Sequence, residues 1–177
     1  MRTTLFAPGR VTIVAALAVA LGVAMGGTAS AEPGQTDDGT TDAQVEVLSS
    51  ISLTGLTEDF TLTGLPGATV TELSVVTFTV ETNNIGGYAV TVQSQTPTLV
   101  AGIVTNLDSI PIGALSVRET GTTPFTALRS TAVAVVHNQT VRSDEGGDDL
   151  SNDYEVVVPF VNQDVYSATL DYIATTL

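Results

Sequence analysis

Beyond residue 42 the chain alternates between apolar and polar positions. Val76, Phe78 and Val80 are spaced by Thr77 and Thr79, and Tyr88, Val90 and Val92 by Ala89 and Thr91. Successive strand side chains point to opposite faces, so a period of two gives each segment one face for a core and one for water. Between these runs lies Asn83-Asn84-Ile85-Gly86-Gly87. Asn and Gly accept positive φ, so this stretch predicts a hairpin with a longer loop. Residues 45–53 and 59–64 predict an early strand pair. Residues 131–137 are apolar on both faces and predict a central strand, and residues 154–158 predict a short one closed by Pro159. Tyr166, Ala168, Leu170, Tyr172 and Ala174 share one face of a last strand. Residues 96–129, rich in Pro, Gly and Thr, read as a long excursion holding one or two short strands. No apolar pattern at helical spacing survives past the first 31 residues. Seven or more short strands dominated by Thr and Val predict an all-β fold, an antiparallel β-sandwich.

The start of the chain follows another pattern. Arg2 and Arg10 precede an apolar run from Val11 to Met25, and Ala29-Ser30-Ala31 satisfies the small-x-small rule of signal peptidase. Residues 1–31 are therefore expected to be a signal peptide helix cleaved before Glu32, residues 32–42 a flexible acidic leader, and residues 43–177 the sandwich domain. That organisation implies a secreted protein, extracellular or associated with a cell wall.

Charge sharpens this picture. Residues 32–177 hold three arginines, no lysine and all 19 acidic residues, a net of −16. Such a surface repels nucleic acid and anionic membrane, and neither is expected as a partner. The chain has no Cys, which excludes a disulfide scaffold, thiol catalysis and Cys-ligated zinc.

Two places hold candidate chemistry. Residues 144–153 pack five carboxylates, an Asn and a Gly pair into ten positions. Calcium takes six to eight oxygens from flexible loops, so Asp144, Asp148, Asp149 and Asp153 are its candidate ligands. The spacing matches no EF-hand, and a solvated acidic loop explains the same residues. No other cofactor is expected. His137 is the sole histidine. A hydrolase triad would have to use it, no Gly-x-Ser-x-Gly elbow accompanies it, and a non-enzyme is the expectation, with a secreted hydrolase the minor alternative.

Three stretches together carry a family resemblance. They are VTFTVETNNIGGYAVTV at 76–92, YEVVVP at 154–159 and YSATLDYIAT at 166–175. The chain resembles the WxL-type cell-wall-binding surface domains of Gram-positive bacteria, and its lysine-free, Ala/Thr/Gly-rich composition resembles an actinobacterial relative. Both Trp residues of that family are missing. Tyr88-Ala89-Val90 stands in place of the first Trp-x-Leu motif and Tyr172-Ile173-Ala174 in place of the second. The resemblance implies a sandwich that associates non-covalently with the wall. Tyr88 and Tyr172 are then the candidate residues for stacking on cell-wall glycan, although each also sits on the apolar face of its own strand. The partners expected are cell-wall glycan or another surface protein. The alternative is a subunit that self-assembles by β-strand addition at an open edge.

Overall fold

A computed structural model of the chain describes residue 34 and residues 37–177. The expected signal peptide lies outside the described residues. The folded unit runs from Val45 to Leu177. It is all-β apart from one 3-10 turn at Ile112–Ala114. In chain order the strands are β1 (Ile51–Thr54), β2 (Thr69–Thr82), β3 (Tyr88–Ser94), β4 (Thr98–Ala101), β5 (Ser109–Pro111) and β6 (Leu115–Glu119). They continue with β7 (Thr126–Ala127), β8 (Ala134–Gln139), β9 (Asp148–Val157), β10 (Tyr166–Ser167) and β11 (Leu170–Thr176).

These strands form three antiparallel sheets. The largest has the order β1-β2-β9-β6-β7, and the two smaller ones have the orders β11-β3-β8 and β10-β4-β5. The five-stranded sheet and the β11-β3-β8 sheet face each other across the core, as a sandwich requires. Val76, Phe78 and Val80 of β2, Tyr88, Val90 and Val92 of β3, and Val117, Val136 and Tyr154 are all buried there. Along β3 the burial alternates strictly with the sequence. The Phe78 ring meets the Tyr172 ring with centroids 5.4 Å apart, and the Tyr154 and Tyr172 hydroxyls are hydrogen-bonded at 2.6 Å. One hydroxyl–hydroxyl contact and one ring pair thus join β2 and β9 to β11 across the sandwich.

Several expectations change at the level of pairing. The two alternating runs do not form a hairpin, because β2 pairs with β1 and β9 while β3 pairs with β11 and β8. Residues 83–87 instead carry the chain from one sheet to the other. Gly87 has φ 85° there, and a Cβ would lie 2.0 Å from the Gln139 carbonyl oxygen, so the glycine is required by close approach as well as by conformation. Strand β1 pairs with the end of β2, and residues 59–64 are not a strand. Strand β8 is an edge strand, with Val135 exposed and Val136 buried. The last apolar face is divided, since Tyr166 belongs to the small β10-β4-β5 sheet and only residues from Leu170 onward join β11.

Large-to-small changes at Phe78 remove contacts on both sheets. Phe78→Ala is expected to lower the free energy of unfolding by about 3–5 kcal/mol. Ile85→Ala, at an exposed loop position, should change it by less than about 0.5 kcal/mol. Urea titration of both variants checks the pair.

Candidate functional site

The acidic stretch is mostly strand. Residues 144–147 form the turn, with Gly146 and Gly147 both at positive φ, and β9 begins at Asp148. Consecutive strand residues face opposite ways, so Asp148 and Asp149 are directed apart. The Asp148 carboxylate accepts hydrogen bonds from the Tyr88 hydroxyl (2.7 Å), Gln139 Nε2 (2.8 Å) and the Asp144 amide (3.0 Å). Asp149 accepts one from Thr79 on the outer face. Asp153 lies further along, fully buried, and pairs with Arg118 at 2.8 Å. The structure therefore does not bring Asp144, Asp148, Asp149 and Asp153 together as calcium ligands. Among the described residues no group of three or more His, Cys, Asp or Glu side chains is placed to hold a metal ion.

Asp153 instead organises the outer face of the five-stranded sheet. Its Oδ1 accepts hydrogen bonds from the Ser74 amide (2.9 Å) and the Thr120 hydroxyl (2.7 Å), and its Oδ2 from Arg118 Nε. Ser74 sits in the bulge of β2, at φ 52°. Burial pushes the Asp153 carboxyl up, but the hydrogen bonds from Thr120, Ser74 and Arg118, with the Arg118 charge, outweigh it and hold the carboxyl below its usual 3.8. The Arg118 guanidinium in turn lies 4.2 Å from the centroid of the Phe125 ring.

Tyr88 and Tyr172 take core positions. Tyr88 is 0% exposed, so its ring has no face for a sugar, and its hydroxyl is committed to Asp148. Burial and the Asp148 hydrogen bond and charge raise the Tyr88 pKa. Tyr172 is half-buried, packed on Phe78 and bonded to Tyr154. Burial also raises its pKa. The expected stacking platforms thus belong to the interior, as their places on the apolar faces of β3 and β11 require.

Of the residues that converge on a concave surface, sequence reasoning singled out only His137. A cleft of about 370 Å³ opens between β8 and the β6–β7 hairpin, with Arg118, Glu119, Thr122, Pro124, Val135 and His137 among its walls. His137 Nδ1 lies 2.8 Å from Glu119 Oε1, and its Nε2 lies 3.3 Å from Gln139 Oε1. Through Gln139 the pair connects to Asp148 and Tyr88, and the Tyr88 and His137 rings stack loosely with centroids 5.2 Å apart. Burial pushes Asp148 up, while the hydrogen bonds from the Asp144 amide, Tyr88 and Gln139, with the nearby His137, bring it below 3.8. Both imidazole nitrogens are engaged, and among the described residues no Ser or Thr hydroxyl is hydrogen-bonded to His137. This geometry fixes the orientation of the ring and, among the described residues, lacks the nucleophile–base contact of covalent catalysis. Only the packing of one sheet against the other places Glu119 of β6 beside His137 of β8, 18 residues apart, so no local motif marks the site. A second depression of about 430 Å³ on the outer face of β2 and β9 is lined by hydroxyls, Asp149 and backbone, and has no basic group.

No family model matches the chain, and neither the curated proteins nor the solved structures yield a match.

Removing either side of the buried ion pair should be costly, and most so when the carboxylate is left behind. Arg118→Ala is expected to destabilise the fold by about 3 kcal/mol, measured by urea unfolding. Asp153 titrates lower folded than unfolded, so its contribution is present above pH 3.8 and is lost as the pH falls through its folded value. The stability gap between the native chain and Asp153→Asn should therefore shrink as the pH is lowered from about 5 to about 2.

Proposed function

We propose that this chain is a non-catalytic binding module of the bacterial exterior, which holds cell-wall polymer in the cleft between β8 and the β6–β7 hairpin. The carrying observation is the Glu119–His137 pair at 2.8 Å on a cleft wall that also holds Arg118. A wall that carries the Glu119 carboxylate and the guanidinium of Arg118, which bonds Asp153 through Nε, suits a polymer bearing both amines and carboxylates, as the peptide stems of cell-wall glycan do. Threonine hydroxyls along the same wall supply neutral hydrogen bonding. The resemblance of residues 76–92, 154–159 and 166–175 to WxL-type domains supports the same partner. Since Tyr88 and Tyr172 are core residues here, the proposed contact is the cleft and not the positions of the missing Trp motifs. An N-terminal sequence with the features of a signal peptide and a net charge of −16 over residues 32–177 suit an exported, soluble module.

A second reading is favoured by one feature. The facing three-stranded sheet has longer edges, six residues in β8 and seven in β11, than the large sheet, with four in β1 and two in β7, and of these β8 borders the cleft. An extended segment of another surface protein could add to β8 by backbone pairing while its side chains enter the cleft.

Purified Gram-positive cell walls, pelleted with residues 32–177, test the first reading. Val135→Arg places a bulky cation at an exposed cleft position, and it should abolish pelleting without lowering the melting temperature. His137→Ala, which frees the Glu119 carboxylate from its partner on the cleft wall, should weaken it by about tenfold, the effect of one hydrogen-bonded contact. Equal pelleting of all three proteins, or none by the native chain, contradicts the cleft as a wall-binding site.

A further inference from the structure

The hydrogen bonds around His137 define its protonation state. Nδ1 lies 2.8 Å from Glu119 Oε1, and Nε2 lies 3.3 Å from Gln139 Oε1. A carboxylate oxygen and an amide oxygen both accept. The Gln139 amide is held this way round by its other end. Its Nε2 donates to Asp148 Oδ2 (2.8 Å), the Val141 carbonyl (3.1 Å) and the Arg142 carbonyl (3.3 Å). Both ring nitrogens must carry a proton for both contacts to be made, so the ring in this arrangement is an imidazolium. A neutral ring has one proton for two acceptors. The shorter contact, to the charged partner, keeps it, and the contact to Gln139 is given up.

The neighbours of the ring suit a positive charge. Glu119 meets it from β6, and Asp148 of β9 lies behind Gln139. Tyr88 of β3 presents its ring with centroids 5.2 Å apart, within the reach of a cation–π contact. Arg118 precedes Glu119, but alternation turns it to the other face of β6, where it bonds Asp153. Strand β8 carries no other charged residue.

Glu119 keeps one oxygen free. Its side chain is 33% exposed, against 12% for His137. Among the described residues Oε2 has no hydrogen-bond partner, and the sole side-chain polar atom both buried and unpartnered is Asn152 Oδ1. Oε2 is therefore open to water on the cleft wall, where Glu119 is the sole carboxylate. A carboxylate oriented through one oxygen and open at the other is a receptor for an ammonium group. The net charge of −16 over residues 32–177 draws cations toward it.

We propose, on the reading that the cleft is the binding site, that Glu119 Oε2 receives an ammonium group of the ligand and that His137 is its positioning residue, gating the contact by its own proton. Neutral His137 orients Glu119 through Nδ1–H and leaves the carboxylate charge to the ligand. Protonated His137 orients Glu119 equally and cancels that charge. Affinity for an amine therefore rises with pH across the range in which histidines titrate, about pH 5 to 8.

NMR of residues 32–177, which contain the whole folded unit, tests this at about pH 5.5 and about pH 8, with Nα-acetyl-L-lysine amide as the amine probe. The ring nitrogen signals of His137 should show two protons at the lower pH and one, on Nδ1, at the higher. The Glu119 carboxyl signal should shift saturably with the probe at the higher pH. Binding at the lower pH should be about fivefold weaker, the effect of one part-exposed ion pair. His137→Asn keeps a neutral donor toward Glu119, so it should bind at both pH values and lose the pH dependence. His137→Ala keeps no donor and should bind weakly at both. A neutral ring protonated on Nε2, a Glu119 signal that the probe does not move, or a pH dependence that survives in His137→Asn overturns the proposal. Walls acetylated at their free amines separate it from the broader reading. Equal pelleting with native and acetylated walls overturns the amine contact and leaves cleft binding standing. If neither wall pellets the chain and the probe still titrates Glu119, the wall reading falls and the amine contact stands.

Discussion

The fold is organised around a buried negative charge on the outer side of a sheet. Strand β9 lies at the centre of the five-stranded sheet, and Asp153 on it is opposite Arg118 of β6. On its other side, β2 places three residues across from this single one, and the amide of Ser74 turns in to meet the carboxylate. A carboxylate removed from water is tolerated only when its oxygens are paired and hydrogen-bonded. Three donors from two neighbouring strands and one following turn meet that demand at once. The bulge in β2 and the register of β6 are thereby fixed to the same atom group. Downstream of the bulge, Val76, Phe78 and Val80 face the core, and at the start of β9 Asp148 arrives beneath Tyr88.

The alternation of apolar and polar residues made the strands legible, because burial on one face leaves a local trace in the sequence. Pairing leaves a weaker one. Asn83 to Gly87 has the residue types of a hairpin turn, yet the same tolerance of positive φ serves a crossing between sheets. What decides the matter is the distant Gln139–Val141 backbone against which Gly87 packs. The acidic stretch misled for a related reason. Composition suggests a solvated or metal-binding loop, while the partners that turn Asp148 and Asp153 into structural groups, Tyr88, Gln139, Arg118 and Thr120, lie on other strands. Tyr88 and Tyr172 were visible as aromatic residues on apolar faces, and that periodicity described them better than their alignment with motif positions.

The cleft and the ends depend on this frame in different ways. Glu119 ends β6 three residues before the Thr122 that bonds back to it, and His137 sits on β8. Their contact spans the gap between the two facing sheets. The loops at residues 102–108 and 158–165, by contrast, are tied to each other through Asp164, Asn106 and Asp108, with Val104, Leu107 and Phe160 outward.

The most direct test of this account is a carboxyl NMR titration of residues 32–177. If Asp153 and Asp148 are structural, both carboxyls should titrate below their usual 3.8 and stay unperturbed when calcium is added. Titration of Asp153 at or above that value, or a calcium-dependent shift shared by both, would contradict the central role given to the buried charge.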